Sequence, residues 1–263
     1  MAEDYLFDFS KEGIEQATAY LNGQSDYIAT NEAVHDYALS SPQVYREVTK
    51  KDVAILENAV ADIQSELLTQ TATEKSVEQR VDMAGERISG NQGNVLDQLL
   101  KQNEQLLQKL NDLQNRSVLQ HLSQDVKSAV HSGIDTMKNA VSTMADHIKE
   151  GAEKVGNFFK NALSAIKDKA KEAVSKGLSA VGVTVQFMRD RVDDVKRGCN
   201  EVCTNLQIKG KELSAKVLDV KDAWRDRQFE KAQSKLLEAL EKKAENADRR
   251  VELQAEISDL RNR

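Results

Sequence analysis

The chain has 263 residues, of which 43 are acidic and 37 basic, giving a formal net charge of −6. It contains 12 glycines and a single proline, Pro42, far fewer than the tight turns of a large β-sheet or a doubly wound α/β fold require. The near balance of charge also argues against nucleic-acid binding. Composition therefore predicts an all-α protein built from long helices.

Residues 1–43 are rich in aromatic side chains. All five tyrosines of the chain lie at or before Tyr45. Asn22-Gly23 is typical of a helix end, and Ser40-Ser41-Pro42 is typical of a helix start. We therefore expect a small helical head of two short helices. It either packs on the long helices as a cap, which is the preferred interpretation, or serves as a docking surface.

Residues 44–89 form the first of two heptad stretches. Apolar residues recur there at alternating steps of three and four, interrupted only by Gln70 and Glu74, which predicts a narrow coiled-coil seam. Two glycines among asparagines predict a turn at residues 90–94. The second stretch, residues 95–125, is expected to fold back on the first as a hairpin about this turn.

The leucine-rich seam of the second stretch supplies the candidate interaction residues. A buried Asn at such a core position often fixes the register and the number of helices by pairing with its counterpart. A solvent-facing Asn in a broad bundle within one chain is the alternative. The residues concerned are Leu99, Asn103, Leu106, Leu110 and Leu113.

An 11-residue repeat occupies residues 126–181. Each unit has an apolar residue, a lysine, and two further apolar or small residues at fixed spacing, so an apolar stripe runs nearly straight along one helix. The lysine lies at the edge of the stripe, where its stem covers apolar surface. The lysines are Lys127, Lys138, Lys149, Lys160 and Lys171.

Two units of this repeat begin at Phe159 and Ala170, and they resemble the 11-residue repeats of late-embryogenesis-abundant, perilipin, apolipoprotein and synuclein helices. The resemblance implies an amphipathic helix that settles on lipid, with Lys138, Lys149, Lys160 and Lys171 as lipid-edge lysines. Burial of the same stripe against the protein's own helices is the preferred alternative. The stretch with Met188-Arg189-Asp190-Arg191 also resembles uncharacterised helical proteins of Gram-positive conjugative elements, which implies no activity.

Residues 182–263 return to heptad spacing within a strongly charged sequence, and Val181–Val185 predicts a kink or loop at their start. Cys199 and Cys203 lie one helical turn apart. Zinc needs four ligands, and the chain has no other cysteine and no suitably spaced histidine pair, so both residues are interpreted as buried thiols.

The sequence contains no catalytic, metal-binding or cofactor motif and no targeting segment. We therefore predict a cytoplasmic, non-enzymatic structural or interaction protein. Its long amphipathic helices would bind partner helices, either those of other proteins or those of a second copy. The alternative function is peripheral binding to an anionic membrane surface through residues 126–181.

Overall fold

The computed structural model describes residues 11–116 and 124–261. These residues contain no strand, and the predicted all-α fold is confirmed. None of the described helices is long and apolar enough to cross a membrane. The four helices are α1 (Lys11–Leu68), α2 (Glu74–Asn115), α3 (Gln124–Lys176) and α4 (Leu178–Arg261).

The turn between α1 and α2 lies at residues 69–73, and the turn predicted at residues 90–94 is wrong because α2 runs through it. Gln70 adopts a left-handed conformation, with φ of 59°. Thr73 then caps α2: its Oγ1 accepts a hydrogen bond from the Ser76 amide, and its own amide donates to Ser76 Oγ, both at 3.0 Å. This reciprocal cap satisfies donors that the first turn of a helix leaves free.

The head is not a separate helical unit in the described residues. Helix α1 runs unbroken from Lys11 through Pro42 to Leu68, so the predicted breaks at residues 22–23 and 40–42 are wrong. The first ten residues of the head lie outside the described residues. Proline inside a helix removes the N–H that would bond the carbonyl four residues earlier, here that of Ala38. The aromatic residues Tyr27, Tyr37 and Tyr45 are nevertheless buried.

Successive helices pack antiparallel. At one end of the α1–α2 pair Arg80 contacts Asp62 at 2.7 Å, and at the other end Arg116 contacts Asp26. Helices α2 and α3 are also antiparallel. Gln114, near the end of α2, donates to Asp135, near the start of α3, at 3.2 Å, and Lys167, near the end of α3, lies 3.3 Å from Asp82, near the start of α2.

Helix α4 closes the bundle by packing against both α1 and α3. Arg46 donates to Gln207 at 2.8 Å, and His35 Nδ1 lies 2.6 Å from Ser214 Oγ. On the α3 side, the ring of Phe158 packs closely against Gly198. Helices α1 and α3 also contact each other directly. The described residues up to Leu218 therefore form an up-and-down four-helix bundle.

Helices α3 and α4 are separated by one residue, Gly177, with φ of 75°. Glycine adopts this left-handed conformation without a side-chain clash. The break predicted near Val181–Val185 is therefore wrong by a few residues, since those residues are helical. The predicted boundary between the second heptad stretch and the repeat falls beside residues 117–123, which lie outside the described residues.

The chain divides into two compact units, and the boundary in the sequence falls between Leu218 and Asp219. The first contains the bundle. The second contains the part of α4 from Asp219 to Arg261, called the C-terminal segment below. This division replaces the single C-terminal region predicted for residues 182–263, because the part of α4 from Leu178 to Leu218 belongs to the bundle.

Candidate functional site

The five candidate interaction residues of α2 all lie inside the bundle. Each is at most 8% exposed. Asn103 Nδ2 donates hydrogen bonds to the Tyr37 hydroxyl at 3.1 Å and to the Val141 carbonyl at 2.6 Å. Its amide thus joins three helices of one chain and does not face solvent. Binding a second chain through Leu99, Asn103, Leu106, Leu110 and Leu113 would require the bundle to open.

The apolar stripe of the 11-residue repeat also faces the bundle interior. The residues that precede the repeat lysines, from Met137 to Ala170, are at most 2% exposed. Lys171 pairs with Glu78, and Lys138 donates to Gln114. A lipid surface could reach this stripe only if α3 left the bundle. Lys149 and Lys160 are exposed at its edge.

The ion pair between α2 and α3 shifts the pKa values of both its members. The hydrogen bond and charge of Lys171 lower the pKa of Glu78, and the hydrogen bond to Glu78 raises the pKa of Lys171. Both side chains are substantially solvent-accessible, so the pair contributes little to stability. This lysine therefore has a partner within the protein.

A polar cluster lies between α1 and α4, and Asn91 of α2 also belongs to it. Asp52 is fully buried, and its Oδ1 accepts a hydrogen bond from Asn91 Nδ2 at 3.2 Å. Its Oδ2 has no hydrogen-bond partner among the described residues. Burial raises the pKa of Asp52 to about 6, although the amides of Asn91 and Gln92 oppose this rise.

Cys199 and Cys203 cover the same cluster from α4. Burial raises the pKa of Cys199 to about 12, with smaller contributions from Cys203 and Asp52. Burial also raises the pKa of Cys203, while the Thr49 hydroxyl opposes the rise. Since the thiolate is the nucleophile and the metal ligand, both sulfur atoms are poorly suited to either chemistry. This agrees with the sequence interpretation of two buried thiols.

The two thiols line a cleft of about 140 Å³ between α1 and α4. Three cations stand around it, but each already has a partner: Arg46 donates to Gln207, Lys50 contacts Glu47, and Lys196 contacts Glu57. Within the described residues, no group of three or more His, Cys, Asp or Glu side chains is placed to hold a metal ion. The cleft therefore offers neither a free cation for an anion nor a ligand set for a metal.

Thiol reactivity provides a direct measure of this arrangement. At pH 8 we expect the cysteines of the native protein to react with a disulfide reagent at least about a hundredfold more slowly than in urea, because burial suppresses the thiolate. The double variant Cys199→Ala with Cys203→Ser should fold and show no reaction. Rapid modification of the native protein, or zinc bound stoichiometrically by the wild type alone, would contradict the interpretation.

The C-terminal segment differs from the bundle in leaving its apolar side chains uncovered. Every side chain that the structure describes from Phe229 to Ser258 is exposed. The largest of them are between 49% and 66% exposed. They are Phe229, Leu236, Leu237, Leu240, Val251, Leu253 and Ile257. The sequence analysis predicts heptad spacing for these residues and assigns no site to them.

No family model matches this chain, and no curated protein or solved structure matches it either. The described architecture defines its class as an up-and-down four-helix bundle followed by an amphipathic helical segment. The candidate functional site is accordingly the exposed apolar surface of the C-terminal segment.

Proposed function

We propose that this protein is a non-enzymatic interaction protein whose C-terminal segment binds a helix of a protein partner. The observation that carries the proposal is the exposure of Phe229, Leu236, Leu237, Leu240 and Val251. From here on, these five residues of the C-terminal segment, and not the buried face of α3, are called the apolar stripe. Contiguous apolar surface of this kind is typical of interaction sites. An amphipathic helix commonly meets its partner through residues at this spacing.

The bundle supports this proposal by what it already buries. The leucine seam of α2 and the repeat of α3 have their apolar side chains in the core, so they do not compete with the stripe for a partner. The thiols of Cys199 and Cys203 and the carboxylate of Asp52 are likewise buried inside the bundle. The C-terminal segment is therefore the part of the chain that we propose binds a partner.

Binding to an anionic membrane through residues 126–181 is the second candidate function. The exposed edge positions of Lys149 and Lys160 favour it, since lysines near an anionic surface each contribute on the order of 1 kcal/mol. It requires α3 to exchange its contacts in the core for contacts with lipid. Flotation of the intact protein with anionic vesicles would favour this function over the first.

Cross-linking in cells of the native host tests the proposed function. We expect the full-length protein to form cross-links to protein partners through Lys243, which borders the apolar stripe, and through Lys235 and Lys242, which are exposed on the far side of the same helix. A stripe variant, Leu236→Gln with Leu240→Gln and Val251→Gln, should reduce their yield at least about tenfold, because it removes the apolar area that is buried on binding.

The matched control exchanges charges on the far face of the same helix. Glu238 and Lys242 form an ion pair at 2.9 Å, and the variant Glu238→Lys with Lys242→Glu preserves net charge and the apolar stripe. It should keep the cross-links from the remaining lysines. Equal cross-link yields from the wild type and the stripe variant would contradict the proposed function.

A further inference from the structure

The C-terminal segment carries opposite charges on the two sides of its apolar stripe. We propose that the partner of this segment is a second copy of itself, and that the two helices associate in parallel as a symmetric two-stranded coil. The proposal rests on the proposed function, since it uses the same stripe. It adds the identity of the partner and the direction of its helix.

The stripe follows an 11-residue period. Phe229, Leu240 and Val251 are spaced 11 residues apart, which at three turns per 11 residues places them nearly in line along the helix. At about 100° per residue, Leu236 and Leu237 fall within about 60° of this line. A partner helix can therefore contact all five side chains while the two helices run nearly straight beside each other.

One edge of the stripe is acidic. Taking Leu240 as the centre, four carboxylates lie about 80–120° to one side of it at about 100° per residue. They are Glu230, Glu241, Asp248 and Glu252, all exposed. No basic side chain described between Phe229 and Arg261 lies on that edge.

The other edge is basic. Lys243, Arg250 and Arg261 lie about 60–80° to the opposite side of Leu240, and all are exposed. No acidic side chain described between Phe229 and Arg261 lies there. Ile257 and Leu253 lie beyond this edge, at about 100° and 140° from Leu240 on the same side. Charges that border an apolar seam set the choice and the direction of partner helices.

Symmetry then decides which arrangement these edges favour. In a parallel pair the two-fold axis runs along the helices, so the acidic edge of each helix borders the basic edge of the other on both sides of the seam. In an antiparallel pair the axis crosses the seam, and acidic borders acidic while basic borders basic. The segment is therefore complementary to itself only in the parallel arrangement.

The same edges disfavour an anionic membrane as the occupant. A helix lying on anionic lipid places both edges of its apolar face near the headgroups. Glu230, Glu241, Asp248 and Glu252 would then be repelled along the whole acidic edge. A second copy in the parallel arrangement places an opposite charge beside each edge, whereas a uniformly anionic surface attracts only the basic edge.

Disulfide cross-linking of full-length chains tests the direction. Leu240 lies midway between Phe229 and Val251 in sequence. In a parallel pair, chains carrying Phe229→Cys should cross-link to each other, and so should chains carrying Val251→Cys. An antiparallel pair centred on Leu240 would cross-link only when the two variants are mixed. The wild type is the control, since its two cysteines are buried.

Charge reversal tests the edges. We expect the acidic-edge variant, Glu230→Lys with Glu241→Lys, Asp248→Lys and Glu252→Lys, to raise the dimer dissociation constant at least about tenfold. The basic-edge variant, Lys243→Glu with Arg250→Glu and Arg261→Glu, should do the same. A mixture of the two variants should associate again, because each then borders edges of opposite charge. Sedimentation of the full-length proteins at low salt measures all three.

The outcomes separate the two proposals. Wild-type protein that sediments as a monomer at every concentration, or cysteine variants that cross-link only in the mixture, would overturn the parallel self-association. Cross-links to other proteins that the stripe variant abolishes would then still support the proposed function. A monomeric wild type whose cross-links in cells are unaffected by the stripe variant would overturn both.

Discussion

The variant Gly210→Ala is expected to lower the free energy of unfolding by about 3 kcal/mol. A Cβ at Gly210 would lie 2.2 Å from the Ala38 carbonyl oxygen and 3.0 Å from Pro42 Cγ. The first contact is with backbone, so the two helices must move apart. For a chain of this size the loss corresponds to a fall in melting temperature of about 6–12 °C, which calorimetry measures.

The matched control is Gly182→Ala in the same helix. No atom lies within 4 Å of the position that its Cβ would occupy, and alanine favours helix over glycine by about 0.5–1 kcal/mol. This variant should therefore be slightly more stable than the wild type. If Gly210→Ala proved equally stable, the close approach of α4 to α1 at Pro42 would be contradicted.

Replacing Asp52 with Asn should abolish a part of the pH dependence of stability. Burial raises the pKa of this carboxyl from 3.8 to about 6, so the folded protein binds the proton more tightly than the unfolded chain. Between about pH 4 and 6, Asp52 therefore makes stability rise as the pH falls. Above pH 6 the carboxylate is charged in both states, and its burial then destabilises the folded protein most.

We accordingly expect Asp52→Asn to raise the free energy of unfolding by about 1–2 kcal/mol at pH 7.5, with a smaller gain at pH 5. Urea denaturation at both pH values measures the difference between variant and wild type, in which the other carboxylates cancel. Asp193→Asn is the control, because that side chain is 72% exposed. A difference between Asp52→Asn and the wild type that is the same at both pH values would contradict the burial of a charged group.

The sequence predicted which residues are buried better than it predicted where helices end. The heptad seam of residues 44–89 is interrupted at Gln70 and Glu74. Gln70 lies in the turn between α1 and α2, and Glu74 is the first residue of α2. The seam thus continues in spacing across two antiparallel helices that both face one core. Periodicity reports the buried face, and two helices in phase give the same signal as one.

Glycine and proline misled the prediction for a related reason. Gly90 and Gly93 lie inside α2 with nothing near the positions that their Cβ atoms would occupy, so packing of the neighbouring residues maintains a helix that local propensity disfavours. Pro42 is accommodated where Gly210 of α4 approaches it. Such contacts join residues far apart in the chain, and no local pattern shows them.

The apolar seam of α2 predicts burial but does not indicate which helices bury it. The seam was expected to leave surface for another chain, yet α1 and α3 cover it. For the C-terminal segment the sequence analysis predicts heptad spacing, whereas the exposed residues Phe229, Leu240 and Val251 follow an 11-residue spacing with opposite charges on its two sides. No pattern in the sequence shows that the bundle ends at Leu218.

The position of α4 in the chain has a consequence for the order of events during synthesis. Helices α1, α2 and α3 leave the ribosome before α4, and they contact one another directly. Cys199 and Cys203 of α4 cover the side of α1 that carries Asp52, so we expect this carboxyl to stay accessible to water until α4 emerges. Its dehydration therefore belongs to the last step of vectorial folding, when the fourth helix docks.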